Sequence, residues 1–226
     1  VRRLTPAVAL LALAAAPATA AERRWSVATV ERLRVETPAT VRVVVAAPGG
    51  AGTGVAASAT DPASLDALKV EASGGTLVLR GGSASAGAIV TVVAPRLAWV
   101  AVYAGSRVTI AAMRGERVDL SAAAGSIDAA AIDAARVSAT LAGDATITLT
   151  GRAPDATLIA NGSGTIDARA LATQRLTARG AGDSIVRAAA SQTATVVAIQ
   201  NAQVSVAGRP RCDVRAVAPA TVTCAR

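Results

Sequence analysis

The chain has 226 residues, 52% of them hydrophobic, which suffices for one sizeable core, yet Phe and His are absent and Trp25, Trp99 and Tyr103 are its only aromatics. Without histidine the commonest general base and zinc ligand are missing, which excludes serine–histidine hydrolysis and disfavours zinc chemistry. The net charge of +8 rests on scattered arginines in runs no longer than two, with Lys69 the only lysine; lacking a basic stripe and stacking aromatics, the chain is not expected to bind nucleic acid, though its field attracts anionic lipid heads or acidic glycans weakly.

Arg2 and Arg3 precede an apolar stretch from Leu4 to Ala16, and Ala18-Thr19-Ala20 satisfies the small-residue cleavage rule. Residues 1–20 therefore read as a signal peptide, cut between Ala20 and Ala21. Pro6 and Pro17 interrupt that stretch, which is too short to span a bilayer. No later segment reaches spanning length, so residues 21–226 are expected to be one exported domain, periplasmic or at the cell surface.

From Trp25 to Val102 apolar and polar residues alternate in "LRVET", "TVRVVVAA", "TLVLRGG" and "IVTVVAP", which predicts strands at irregular spacing. The glycine-rich "APGGAGTGVAAS" reads as a loop. "DPASLDALKVEAS" predicts one short helical turn, with Asp61 as cap and Pro62 at the first helical position. These opening coils are expected to be irregular and to cap the stack of later ones.

Beyond Tyr103 the chain repeats itself. "YAGS", "AAGS", "LAGD", "GSGT" and "GAGD" place Gly105, Gly125, Gly143, Gly164 and Gly182 at intervals of 20, 18, 21 and 18, and the beat continues to Asn201 and Pro219. A period of about twenty predicts a solenoid with one repeat per coil. Val118, Leu120 and Ala122 share one side of a strand; Val137, Ala139 and Leu141 repeat the pattern. After each glycine a shorter strand follows, with Ile127 and Ala129, Ile147 and Leu149, Ile166 and Ala168, or Val204 and Val206 on one side. Period two argues strand. The expected fold is all-β, a single-stranded β-helix with one short helix, in which the five glycines stack corner above corner because glycine accepts backbone conformations closed to other residues. A slim interior of Ala, Val, Ile and Leu columns accounts for the missing aromatics.

Cys212 and Cys224 are the only cysteines. In an exported chain they read as one structural disulfide, a bridge over about a dozen residues contributing roughly 3 kcal/mol in the loop-entropy model.

The order of these segments resembles a known family. A "WSV" strand, "VRVVV", "GVAASATDPASLDALKVEASGGTLVLRGG" and "IVTVVAPRLAWVAVYAGSRVTI" precede the glycine-punctuated coils. The pattern is similar to the head GIN domain family of auto-transporter adhesins over most of residues 25–210. Its most specific parts are the passage 61–80, Pro95-Arg96-Leu97, and the "GSGT" and "GAGD" corners. The resemblance implies a right-handed β-helical body on exported bacterial proteins, without established enzymatic activity. The chain carries no translocating barrel, so self-transport is not expected.

The other motifs are weaker. "GSGTID" lacks the third glycine of a dinucleotide fingerprint and "GAGDS" lacks the lysine of a P-loop, so no cofactor is expected. Asp128 and Asp167 fall in one outward column, read as Asp128, Thr148, Asp167, Val186, Ser205 and Thr223. Carboxylates two coils apart stand roughly 10 Å from one another, too far to share calcium, so no metal is expected. The same column lacks the unbroken threonine ladder of an ice-binding face.

Asp119, Asp128, Asp133, Asp144, Asp155, Asp167 and Asp183 could serve a polysaccharide-cleaving enzyme, the main alternative, but they occur singly and often at turns. The preferred reading is a non-enzymatic, exported envelope protein, an adhesin-like interaction or scaffold module. Its partner would be an envelope protein or glycan, bound by outward Ser, Thr, Arg and Asp side chains or by unpaired backbone at a terminal coil. The second route also permits homo-oligomers through terminal coils. Arg136, Arg152, Arg175 and Arg187 are surface candidates without a specific role.

Overall fold

The computed structural model describes residues 20–45 and 53–225. The expected signal peptide lies outside the described residues except for Ala20; so does the expected loop up to residue 52. Ala20 is exposed and Ala21 begins the first strand.

The front half holds β1 (Ala21–Ser26), β2 (Arg32–Glu36), β3 (Thr40–Val44), β4 (Gly54–Ala59), α1 (Pro62–Asp66), β5 (Lys69–Ser73), β6 (Thr76–Arg80), a 3-10 turn at Ser83–Gly87 and β7 (Ile89–Val93). The end of the stretch expected as a loop is thus strand β4, since Val55, Ala57 and Ala59 alternate inward and are buried. The rear half holds β8 (Trp99–Val102), β9 (Arg107–Ile110), β10 (Met113–Ala122), β11 (Ser126–Gly143), β12 (Thr146–Arg152), β13 (Asp155–Gly162) and β14 (Thr165–Ala172). It ends with β15 (Arg175–Gly182), β16 (Ile185–Ala190), β17 (Thr193–Ala198), β18 (Gln203–Gly208), β19 (Arg211–Ala216) and β20 (Thr221–Cys224).

These strands wind into a β-solenoid of about seven turns. Two wide parallel faces run its length. The first stacks β6, β2, β8, β10, the second part of β11, β13, β15, β17 and β19. The second stacks β7, β3, β9, the start of β11, β12, β14, β16, β18 and β20. A narrow third side, which the sequence pattern did not announce, joins them in the middle coils: Met113 pairs with Ile132, Ile132 with Gly151, and Gly151 with Leu171. Each coil contributes only about one apolar anchor there, Ile132 or Leu171, so no alternation can develop.

The core is built from complementary columns. Leu120, Ala139, Leu158 and Ala178 stack inward on the first face; Ala129, Leu149, Ala168 and Ala188 stack inward on the second. In three of these coils a residue large on one face meets one small on the other, at Leu120 and Ala129, Ala139 and Leu149, Leu158 and Ala168, all of them buried, whereas Ala178 and Ala188 are both small. Pairing large with small keeps a narrow interior evenly filled without aromatic rings.

The opening coils are irregular and cap the stack. Chain order and spatial order differ there: the β2–β3 coil is inserted between the β6–β7 and β8–β9 coils. Corner hydroxyls tie it in, Thr37 Oγ1 lying 2.7 Å from Ser85 Oγ and Ser106 Oγ donating to the Ala39 carbonyl at 2.6 Å. β4 and β1 extend the second face in antiparallel fashion, and β5 extends the first. Across this end lies α1, packed on β1, β4 and the 3-10 turn, with Leu65 and Leu68 buried. Asp61 caps it as anticipated, its Oδ1 accepting from the Ala63 N–H at 3.0 Å.

The glycine corners need a correction. They form two columns two residues apart, not one. Gly143, Gly162 and Gly182 are aligned by strand register, all with positive φ, and a Cβ at Gly182 would stand 2.7 Å from the Gly162 carbonyl oxygen. Gly125 and Gly164 belong to the second column, where Ala145 and Ser184 occupy the intervening and following coils. Gly164 has no positive φ; a side chain there would run into the Ala145 carbonyl oxygen and stand 2.8 Å from Leu141 Cδ2. Close coil stacking, rather than backbone conformation, requires glycine at 164. Gly105 turns the earlier corner with φ +70°.

A disulfide joins Cys212 on β19 to Cys224 on β20, closing the last coil.

Candidate interaction surface

Strand alternation that sends aliphatic residues inward sends the rest outward, so the outer columns define the chemistry of each face. On the first face one column reads Arg117, Arg136, Asp155, Arg175, Thr193 and Arg211. Beside it runs Trp99, Asp119, Ser138, Thr157, Thr177, Thr195 and Asp213, followed by Ser121, Thr140, Ile159, Arg179, Val197 and Arg215. From Arg117 onward this face carries six arginines against three aspartates. On the second face, from Arg107 to Thr223, the two outward columns carry Arg107 and Arg187 against Asp128 and Asp167, and Arg169 beside them leaves a surplus of one arginine against three on the first face. Position 187 corrects the expected column: Val186 is buried and Arg187 faces outward beside Asp167.

The basic face is partly pre-organised. Arg175 Nε and Nη2 donate to the two Asp155 oxygens at 2.5 and 2.7 Å, and Arg117 Nε donates to Asp119 at 2.8 Å. Arg136 and Arg179 make no ion pair among the described residues. A shallow cleft of about 230 Å³ opens between Arg117, Arg136, Ser138, Asp155 and Thr157. Hydrogen bonding from Arg175, with the charge of Arg136 added, holds the Asp155 carboxyl below its ordinary range. Asp167 on the other face is lowered chiefly by the hydrogen bond from Arg169.

Two of the three aromatics also reach the basic face. Trp99 lies between Arg32 and Asp119 in register, and the Arg34 guanidinium sits 4.8 Å from the Tyr103 ring centroid, a cation–π geometry. Neither residue was singled out from the sequence. The signal was there: both continue the outward register of β8.

The narrow side forms a trough. Arg114, Asp133 and Arg152 align along it, with Arg152 Nη2 bonded to Asp133 at 2.9 Å. Where the third strand stops after Ala172, a groove of about 440 Å³ opens between Pro154, Ala172, Gln174, Ala189 and Gly208. Of the surface arginines named from the sequence, Arg136 and Arg175 thus share a column, Arg152 is on the narrow side and Arg187 is on the second wide face.

The seven aspartates are not brought together as catalytic pairs. Asp119, Asp133, Asp155 and Asp167 each bond an arginine, and Asp183 accepts from Asn201 at 2.7 Å. Asp128 and Asp167 stand two strands apart with Thr148 between them. Among the described residues no group of three or more acidic or cysteine side chains could hold a metal, and no helix is long and apolar enough to cross a membrane.

Comparison with known proteins agrees with this architecture. A family described as "Putative auto-transporter adhesin, head GIN domain" matches residues 33–210. No curated protein matches the chain. The crystal structure of a putative adhesin from Bacteroides fragilis superposes with a TM-score of 0.77 at 15% identity, covering 92% of this chain and 97% of that one. A putative adhesin from Parabacteroides distasonis gives 0.70 at 14% identity, covering 92% and 98%. A putative lipid binding protein from the same organism gives 0.63 at 14% identity, covering 93% and 98%. At these identities the likeness establishes the fold.

Proposed function

The chain belongs to the head GIN domain family of putative auto-transporter adhesins, and from that premise we propose that it is a non-enzymatic, exported interaction module whose first wide face binds an acidic envelope glycan. The carrying observation is the surplus of arginine on that face, laid out beside a ladder of hydroxyls. Arg117, Arg136, Arg175 and Arg211 repeat in steps of about 4.8 Å or multiples of it, and Ser138, Thr157, Thr177 and Thr195 run alongside. A carboxylate- or sulfate-bearing polymer meets guanidinium groups for its charges and hydroxyls for its ring oxygens. Trp99 and Tyr103 add flat apolar surface at one end.

The disulfide fits an oxidising compartment outside the cytoplasm. Polysaccharide cleavage gains no support: a general acid needs a raised pKa, whereas Asp155 and Asp167 are pulled down by arginine partners.

The test is binding of a uronic-acid polysaccharide, followed by fluorescence anisotropy, against a neutral polysaccharide control. Arg136→Glu with Arg179→Glu should weaken binding by about tenfold or more, and rising salt should weaken it further. Arg187→Glu, on the second wide face, should leave it nearly unchanged. Equal affinity for the neutral polymer, or indifference to the double reversal, would overturn the assignment.

A further inference from the structure

The two ends of the solenoid differ. One is closed by α1 and the antiparallel strands β1 and β5. At the other, among the described residues nothing packs on the outer edges of β19 and β20, and Val214 and Val217 are 42% and 62% exposed.

The inner neighbour dictates which backbone groups are free at this edge. β19 runs parallel to β17, with the Arg211 N–H donating to the Gln192 carbonyl and the Val217 N–H to the Ala198 carbonyl. Strand alternation then turns residues 211, 213, 215 and 217 toward β17, and leaves Cys212, Val214 and Ala216 with N–H and C=O pointing away from it. On β20 the Thr221 N–H bonds the Ala202 carbonyl and the Ala225 N–H bonds that of Val206, so Val222 and Cys224 point away likewise.

We propose that this edge is the docking site for a second copy of the same chain, paired tail to tail in antiparallel fashion about a two-fold axis through Val214 and Val222. Only registers that oppose even-numbered residues let the free groups of β19 meet. With the axis at Val214, Val214 meets its own copy and Cys212 meets Ala216, so all three exchange hydrogen bonds. The same register sets Asp213 opposite Arg215 of the second copy, twice by symmetry, giving two opposite-charge pairs. Moving the axis to Asp213 opposes Asp213 to itself and Arg211 to Arg215; moving it to Arg215 opposes Arg215 to itself. An axis at Cys212 would need an N–H from Pro210, which has none. Charge and backbone therefore favour the axis at Val214 over those at Cys212, Asp213 and Arg215.

β20 agrees with it. The disulfide sets Cys212 across from Cys224, so two residues nearer the turn Val214 lies across from Val222, and one axis serves both strands. About Val222, Thr221 meets Thr223, a favourable hydroxyl pair. The inward residues of the last coil (the disulfide, Val214, Ala216 and Val222) close over their own copies and continue the core across the junction.

Sedimentation equilibrium over a concentration series tests this, with circular dichroism melts to verify folding of each variant. The wild-type protein should reach twice the chain mass. Asp213→Arg or Arg215→Asp alone makes both pairs like-charged and should raise the dimer Kd about tenfold or more; the combined Asp213→Arg/Arg215→Asp variant should restore dimerisation. A wild-type protein that stays monomeric throughout overturns the proposal, as does a dimer insensitive to the single reversals or one the combined reversal fails to rescue.

Discussion

Arg175 lies one coil beyond Asp155 in the same outward column, and its guanidinium engages both oxygens of that carboxylate. The contact joins adjacent coils at the centre of the basic face and lowers the pKa of the only acid in that column.

It makes a pH prediction. The folded-state pKa of Asp155 is depressed, with the hydrogen bond from Arg175 the leading cause. Such a group contributes stability that is present above its unfolded value, about 3.9, and is lost as the pH falls through the lower folded value. An NMR titration of the Asp155 carboxyl should therefore find its midpoint below 3.9 or so, and Arg175→Gln should return it toward that value. Because the pair is exposed, the same substitution should shift the melting temperature only slightly.

Gly164 makes a sharper stability test. Gly164→Ala places a methyl against the Ala145 carbonyl and Leu141, inside the stacked coils. Urea denaturation should show a loss of about 1–3 kcal/mol, the usual range for overpacking. Gly82→Ala, with open space around its Cβ position and no positive φ, should leave the midpoint within about 0.5 kcal/mol of wild type.

Removing the disulfide should act locally. In a solenoid each coil is stabilised by its neighbours, and the bond ties only β19 to β20. Cys212→Ser with Cys224→Ser should cost roughly 3 kcal/mol for the closed loop. Hydrogen exchange should show lost protection in residues 211–225 while β13 to β15 keep theirs. Uniform loss across all coils would contradict a nearest-neighbour stack.

The opposite end depends on its helix. Leu65→Ala empties a buried position of α1 over the core and should destabilise by about 2–4 kcal/mol. Asp61→Ala, which removes only the cap bond to Ala63, should cost about 1 kcal/mol. Thermal melts of the two variants should separate the effects.

Much of the architecture was legible from residue order. Period-two alternation placed Val118, Leu120 and Ala122, or Ile147 and Leu149, on the inward side without error, since each is buried. The beat of about twenty marked the coil length. The glycine spacing misled at finer scale: from Gly125 onward the intervals of 18, 21 and 18 arose from switching between columns that are two residues apart. The coils from Gly143 through Gly162 and Gly182 to Gln200 instead measure 19, 20 and 18 residues. Gln200 takes the left-handed turn itself, with φ +60°, so no glycine marked that corner. One slipped position likewise exchanged Val186 for Arg187 and hid a cation.

What residue order determined alone was the local character of each segment: which positions alternate, where the chain turns, which helix cap forms, and that the core is thin and aliphatic. The tertiary structure decided which of those segments lie side by side. It inserted β2 and β3 between strands distant in the chain, gathered Arg117, Arg136, Arg175 and Arg211 into one column, and left the outer edges of β19 and β20 uncovered among the described residues. The reason is physical: alternation and turns are set by interactions between near neighbours along the chain, whereas a charged face sums residues about twenty positions apart, and an error of one residue in register moves a side chain from the surface to the core.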